Sequence, residues 1–153
     1  MIIDSRLEFA DAVSVAAAAG TALIGNVIDL SVVRDIGVGK PVYLVITVDT
    51  DVVTGGAAGT IQFKLASDAQ AAIATDGTAS VHFTSKAFVT DDAGYDLKAG
   101  LTAVAVALPM EGVAYERYLG ILATIATTTV TAGKINAFLT TDPAAWKAYA
   151  DGI

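Results

Sequence analysis

The segment from Pro41 to Thr50 places Val42, Leu44, Ile46 and Val48 on one side of an extended chain and Tyr43, Val45, Thr47 and Asp49 on the other. A period of two in β-branched and aromatic residues is the signature of a strand, and apolar residues on both sides mark this one as well buried. Asp51 to Gly59 follows, with Gly55, Gly56 and Gly59. Then Ile61, Phe63 and Leu65 alternate with Gln62, Lys64 and Ala66. That order predicts a strand, a glycine-rich turn and a half-exposed strand.

The same grammar continues at similar spacing over Val81 to Phe88, Leu101 to Leu108, Arg117 to Ala126 and Thr129 to Leu139. The separators have turn chemistry: Asp91-Asp92-Ala93-Gly94, Lys98-Ala99-Gly100, Pro109 to Gly112 and Ala132-Gly133. Regular short strands of this kind predict an all-β sandwich or barrel. Arg6 to Ala10 and Asn26 to Val33 are expected to add edge strands. Two helical pieces are expected besides: a short turn capped by Asp68 and running through Ile73, and a C-terminal helix with Asp142 as N-cap, Pro143 in its first position, Ala144 to Ala150 as body and Gly152 past its end.

Composition narrows the function classes. With 153 residues and 54% apolar side chains, the chain is long and hydrophobic enough for one domain, residues 1–153, with a core of its own. Sixteen acidic against nine basic residues give a net charge of −7, and no segment gathers Lys or Arg, so binding to nucleic acid is not expected. Without cysteine there is no thiol nucleophile, disulfide or Cys-based zinc site. The apolar stretch Ala12 to Gly25 is approached by Asp4, Glu8 and Asp11 rather than by a basic segment, and Gly20 and Gly25 interrupt it. Neither an export signal nor a membrane span is expected.

The residues that chemistry would need do not assemble into a motif. His82 is the single histidine, set in a strand-like run, and there is no Gly-x-Ser-x-Gly elbow. Gly37-Val38-Gly39-Lys40-Pro41 lacks the first glycine of a phosphate-binding loop, has Pro41 where Ser or Thr is required, and leads into a strand rather than a helix. Asp49 with Asp51, or Asp91, Asp92 and Asp96, offers oxygen ligands for calcium, but without the spacing or the closing glutamate of the helix-loop-helix motif. Tyr43, Tyr95, Tyr115, Tyr118, Tyr149 and Trp146 are available for a sugar-binding platform, and core packing explains them equally well. The expectation is a protein with no catalytic residue, metal or cofactor.

The order of several short segments is informative as a set. Met1-Ile2-Ile3-Asp4 and Leu7 to Ala12 lead to Asn26-Val27-Ile28-Asp29-Leu30, then to Arg34-Asp35-Ile36-Gly37 and Gly39 to Ile46. Leu101 to Pro109, Arg117-Tyr118-Leu119-Gly120, Thr131 to Lys134 and Ala137-Phe138-Leu139 continue the series. In this order the chain resembles the Bbp16-type capsid cement (decoration) proteins of tailed bacteriophages. The resemblance implies a jelly-roll-like antiparallel β-sandwich with little helix. It implies a structural protein of the virion, made in the bacterial host cytoplasm and bound to the outside of an icosahedral head. There it would contact the major capsid protein and tie neighbouring capsomers together, as a homodimer or other homo-oligomer. A carbohydrate-binding jelly-roll module is the alternative of the same fold class, and a hydrolase with a dispersed carboxylate pair is a weaker one.

For a partner surface the candidates are an apolar N-terminal arm, Ile2, Ile3, Leu7 and Phe9, and the glycine-rich loop with Asp51, Gly55 and Gly56. Exposed apolar ends and long loops are where partners dock.

Overall fold

The computed structural model describes residues 5–31, 39–56, 58–110 and 112–143. A 3-10 turn, Ser5–Leu7, precedes nine strands: β1 (Glu8–Ser14), β2 (Gly20–Asp29), β3 (Tyr43–Val53), β4 (Thr60–Asp68), β5 (Ser80–Thr84), β6 (Phe88–Val89), β7 (Thr102–Ala107), β8 (Tyr118–Ala126) and β9 (Ala132–Thr140). They form two antiparallel sheets, ordered β1-β9-β3-β7 and β2-β8-β4-β5, with β6 also paired to β4. Strand pairs β1:β9, β2:β8, β3:β7 and β4:β5 are each antiparallel. The chain is thus one long hairpin rolled up on itself, which is the jelly-roll connectivity.

Alternation explains which sheet face is buried. Leu44, Ile46 and Val48 of β3, Ile61, Phe63 and Leu65 of β4, Leu119, Ile121 and Ile125 of β8, and Ile135, Ala137 and Leu139 of β9 meet in one cluster between the sheets. Both expected segments belong to edge strands, though with other bounds: β1 begins only at Glu8 and runs on to Ser14, and β2 starts at Gly20 and shares only Asn26 to Asp29 with the expected Asn26 to Val33. The two edges approach each other where Gly25, at φ +66°, lies against the Phe9 carbonyl. Only glycine adopts that conformation freely and leaves room for the neighbouring backbone.

Several boundaries differ from the sequence expectation. β3 continues through Asp51 to Val53, so the glycine-rich loop spans only Thr54 to Gly59. Val81 to Phe88 is split into β5 and β6 because Ser85 enters the ladder: its hydroxyl accepts the Phe63 N–H at 3.0 Å while its own N–H donates to the Phe63 carbonyl. Asp68 does not start a helical turn. Its carboxylate accepts the N–H groups of Gln70 and Ala74, both at 3.0 Å, and folds residues 69–79 back over the outer face of β4 and β8. Ile73 packs there in a second, small apolar cluster with Ala66, Ala79 and Leu122. Gly120 makes room for it, since a Cβ would sit 2.6 Å from the Ile73 Cδ1. Burying isoleucine outweighed the weak helical preference of the surrounding alanines. The body of the expected C-terminal helix lies outside the described residues. Among the described residues there is no α-helix, and no helix is long and apolar enough to cross a membrane.

Candidate interaction surface

Jelly-roll connectivity sends alternate loops to opposite ends of the sandwich. At one end meet the β1–β2 loop, the loop Thr54 to Gly59, the chain from Ser85 to Leu101 and the β8–β9 loop. They are tied together by an Ala17–Val130 bridge, by Thr54 and Thr90 (Thr54 N–H and Oγ1 both to the Thr90 carbonyl, 2.9 and 3.0 Å), and by Thr128 Oγ1 donating to the Ala58 carbonyl at 2.8 Å. Gly55 and Gly56 are exposed here at φ +77° and +95°, and the Gly55 N–H donates to Asp92 Oδ1 at 3.2 Å.

Asp51 is on β3, and both of its oxygens are used within the chain. Oδ1 accepts the Ala99 N–H at 2.6 Å and Oδ2 accepts the Tyr95 hydroxyl at 2.7 Å. These bonds hold the carboxyl below the usual aspartate range, the Ala99 N–H most strongly, and the same bond to Asp51 raises the Tyr95 phenol. Asp91 caps the Ala93 N–H, and Asp96 accepts the Val89 N–H and the Lys86 ammonium. Among the described residues no three His, Cys, Asp or Glu side chains gather as a metal site. The acidic residues of this end act as turn and strand caps.

The opposite end carries the start of β1, the β4–β5 loop and the β7–β8 loop. Leu7 is 39% exposed in the 3-10 turn, whereas Phe9 is 0% exposed and belongs to the core. Phe9 is therefore removed from the expected partner arm: the 3-10 turn breaks the two-residue period, so Leu7 and Phe9 do not share a face. Ile2 and Ile3 lie outside the described residues. The candidate residues thus fall at two opposite ends, with Leu7 at one and Gly55 and Gly56 at the other.

Two exposed apolar residues were not anticipated, Met110 at 53% and Val113 at 62% in the β7–β8 loop. Pro109 to Gly112 reads as a plain turn. The available signal is a methionine inside that turn and a valine directly after it, where no strand period accounts for them. The base of this loop is fixed. Tyr115 is buried and its hydroxyl donates to the Pro109 carbonyl at 2.8 Å, and Leu108 N–H bonds to the Val42 carbonyl at 2.8 Å. Arg117 forms a two-pronged ion pair with Asp29, Nε to Oδ1 and Nη2 to Oδ2, both 2.9 Å. That pair holds Asp29 below its ordinary value.

His82 completes the anchor. Its ring stacks on Tyr115 with centroids 3.9 Å apart, and its Nε2 is 2.7 Å from Ser67 Oγ. A serine–histidine pair at this distance has the spacing of a nucleophile and its base. Ser67, however, is 0% exposed and its oxygen already accepts the Glu116 N–H at 3.0 Å, so it faces no space for a substrate. Glu116 Oε1 in turn accepts the Ser80 hydroxyl at 2.7 Å. The group is a clasp joining β4, β5 and the β7–β8 loop.

Burial lowers the His82 basicity, and the Glu116 carboxylate only partly opposes it. Folding therefore favours the neutral ring. Its contribution to stability is complete above the unfolded value of about 6.5 and is lost as pH falls from there to the lower folded value. Thermal midpoints measured from about pH 8 down to about pH 5 should fall more steeply for the native chain than for His82→Gln. Parallel curves would contradict this role of His82.

The described tyrosines are spread over different strands and loops, with Tyr43 half-buried at the start of β3. Tyr115 is buried, Tyr95 is bonded to Asp51 and Tyr118 lies under the Arg117 guanidinium at 4.9 Å. Tyr149 and Trp146 lie outside the described residues.

No curated protein matches the chain. The Bbp16 family model matches residues 9–139, from the second residue of β1 to the penultimate residue of β9. With the match covering all nine strands but for the first residue of β1 and the last of β9, the chain belongs to the Bbp16 family, a family of phage proteins.

Proposed function

We propose that this protein is a structural, non-enzymatic component of the phage virion that binds the outside of the icosahedral head. It contacts the major capsid protein and cements neighbouring capsomers against the pressure of the packaged DNA, as a homodimer or other homo-oligomer. The observation that carries this reading is the family match across residues 9–139.

Physical features favour the same role. A cement protein works by binding free energy to the assembled shell rather than by a reaction, since whatever binds the closed state and not the opened one stabilises the closed state. A net charge of −7 suits a place away from the packaged DNA. Two exposed apolar side chains, Met110 and Val113, on a loop with a fixed base offer a contact that needs little ordering on binding.

Heads assembled without the protein are expected to release DNA at a lower temperature than complete heads, and added purified protein is expected to restore the difference. Equal heat resistance with and without the protein would remove the cementing role.

A further inference from the structure

We propose that the tip of the β7–β8 loop is the anchor on the shell, with Met110 and Val113 entering an apolar crevice of the shell protein. This rests on the head-surface reading and adds contact residues to it. Met110 and Val113 are the two most exposed large apolar side chains among the described residues, and they lie within four positions of each other. Glu111 and Gly112 separate them in the sequence, and Gly112 and Ala114 are exposed as well. Leu7, at 39%, is exposed at the same end of the sandwich.

Their exposure is built in. The loop is closed across its own base by the Tyr115 hydroxyl on the Pro109 carbonyl, and fastened to the sheets by Leu108, by the Glu116 N–H on Ser67 and by the His82–Tyr115 stack. Buried residues on both sides hold the tip outward, so little conformational freedom is left to lose when it is gripped. Val81, Val89 and Leu101 are exposed too, but each stands singly on or beside a strand, as scattered surface apolar residues commonly do.

The area decides the occupant. Two side chains are far short of the roughly 800 Å² per partner of a stable dimer, so this tip is not by itself the contact between copies of the chain. A shell presents the same crevice many times, so a small anchor repeated in each copy of an oligomer gains from effective concentration.

The test uses the full chain and heads assembled without it. Met110→Ser/Val113→Ser is expected to weaken co-sedimentation with heads by about ten-fold or more, while Val81→Ser/Val89→Ser stays within about two-fold of the native chain. Val113→Asp alone, at the more exposed position, makes the same test if the double variant is poorly folded. A folded tip variant that binds as the native chain does would overturn the anchor and leave the head-surface reading standing. A native chain that does not bind heads would overturn both.

Discussion

Gly25→Ala is expected to lower the stability of the fold by about 3 kcal/mol or more, a large share of the roughly 5–15 kcal/mol typical of a domain. Gly25 sits where the β2:β8 register shifts between Ile24 and Ile28. At φ +66° an alanine carries the left-handed cost of about 1–2 kcal/mol. Its Cβ would also run into the Phe9 carbonyl oxygen and lie 3.3 Å from the Ala10 Cβ, so the two edge strands would have to part. Gly77→Ala provides the comparison, because Gly77 has φ +96° and nothing within 4 Å of an added Cβ. Urea unfolding should show the Gly25 variant losing clearly more than the Gly77 variant. Equal losses would mean that the close approach of β1 and β2 contributes nothing.

Phe9→Ala is the second large effect, a loss of about 3–5 kcal/mol from emptying a core position. Phe9 is fully buried among the residues between the sheets. Leu7→Ala, two residues earlier and 39% exposed, should change stability by no more than about 0.5 kcal/mol. If Phe9 served a partner rather than the core, the order would reverse, with little change in unfolding and a change in binding.

These two positions also show where the sequence was readable. In β3, β4, β8 and β9 a two-residue period points to the strands and their buried face, but not to their ends: β3 runs past Thr50 to Val53, and Ala132-Gly133, which has turn chemistry, opens β9. β1 and β2 are harder. Alanines carry little face information, Ala12 adopts φ +47° where the β1:β9 register shifts, and Gly25 marks a second shift. Each bulge moves the following residues to the opposite face, and Leu7 stands in the 3-10 turn before β1, where the alternation that includes Phe9 has not yet begun. Asp68 misled for a different reason. An aspartate before alanines reads as a helix cap, while the deciding interaction, Ile73 on the outer face of β8, is long-range and depends on Gly120 leaving space.

The candidate surface was less readable than the fold. Asp51 reads as a loop residue in the sequence, but β3 continues past it and its carboxylate serves Tyr95 and Ala99. Gly55 and Gly56 are exposed as expected, but they lie on the polar, cross-bonded end. Met110 and Val113 stand out only once the burial of Tyr115 and Leu108 shows that the turn between them is held outward. A contact surface leaves no local period in the sequence; its partner is on another molecule.

Electron cryo-microscopy of assembled heads tests the central claim most directly. The account predicts a jelly-roll density on the outer surface at the seams between capsomers, repeated over the shell. Density for the chain confined to the tail or the head interior, or absent from the head, would contradict it.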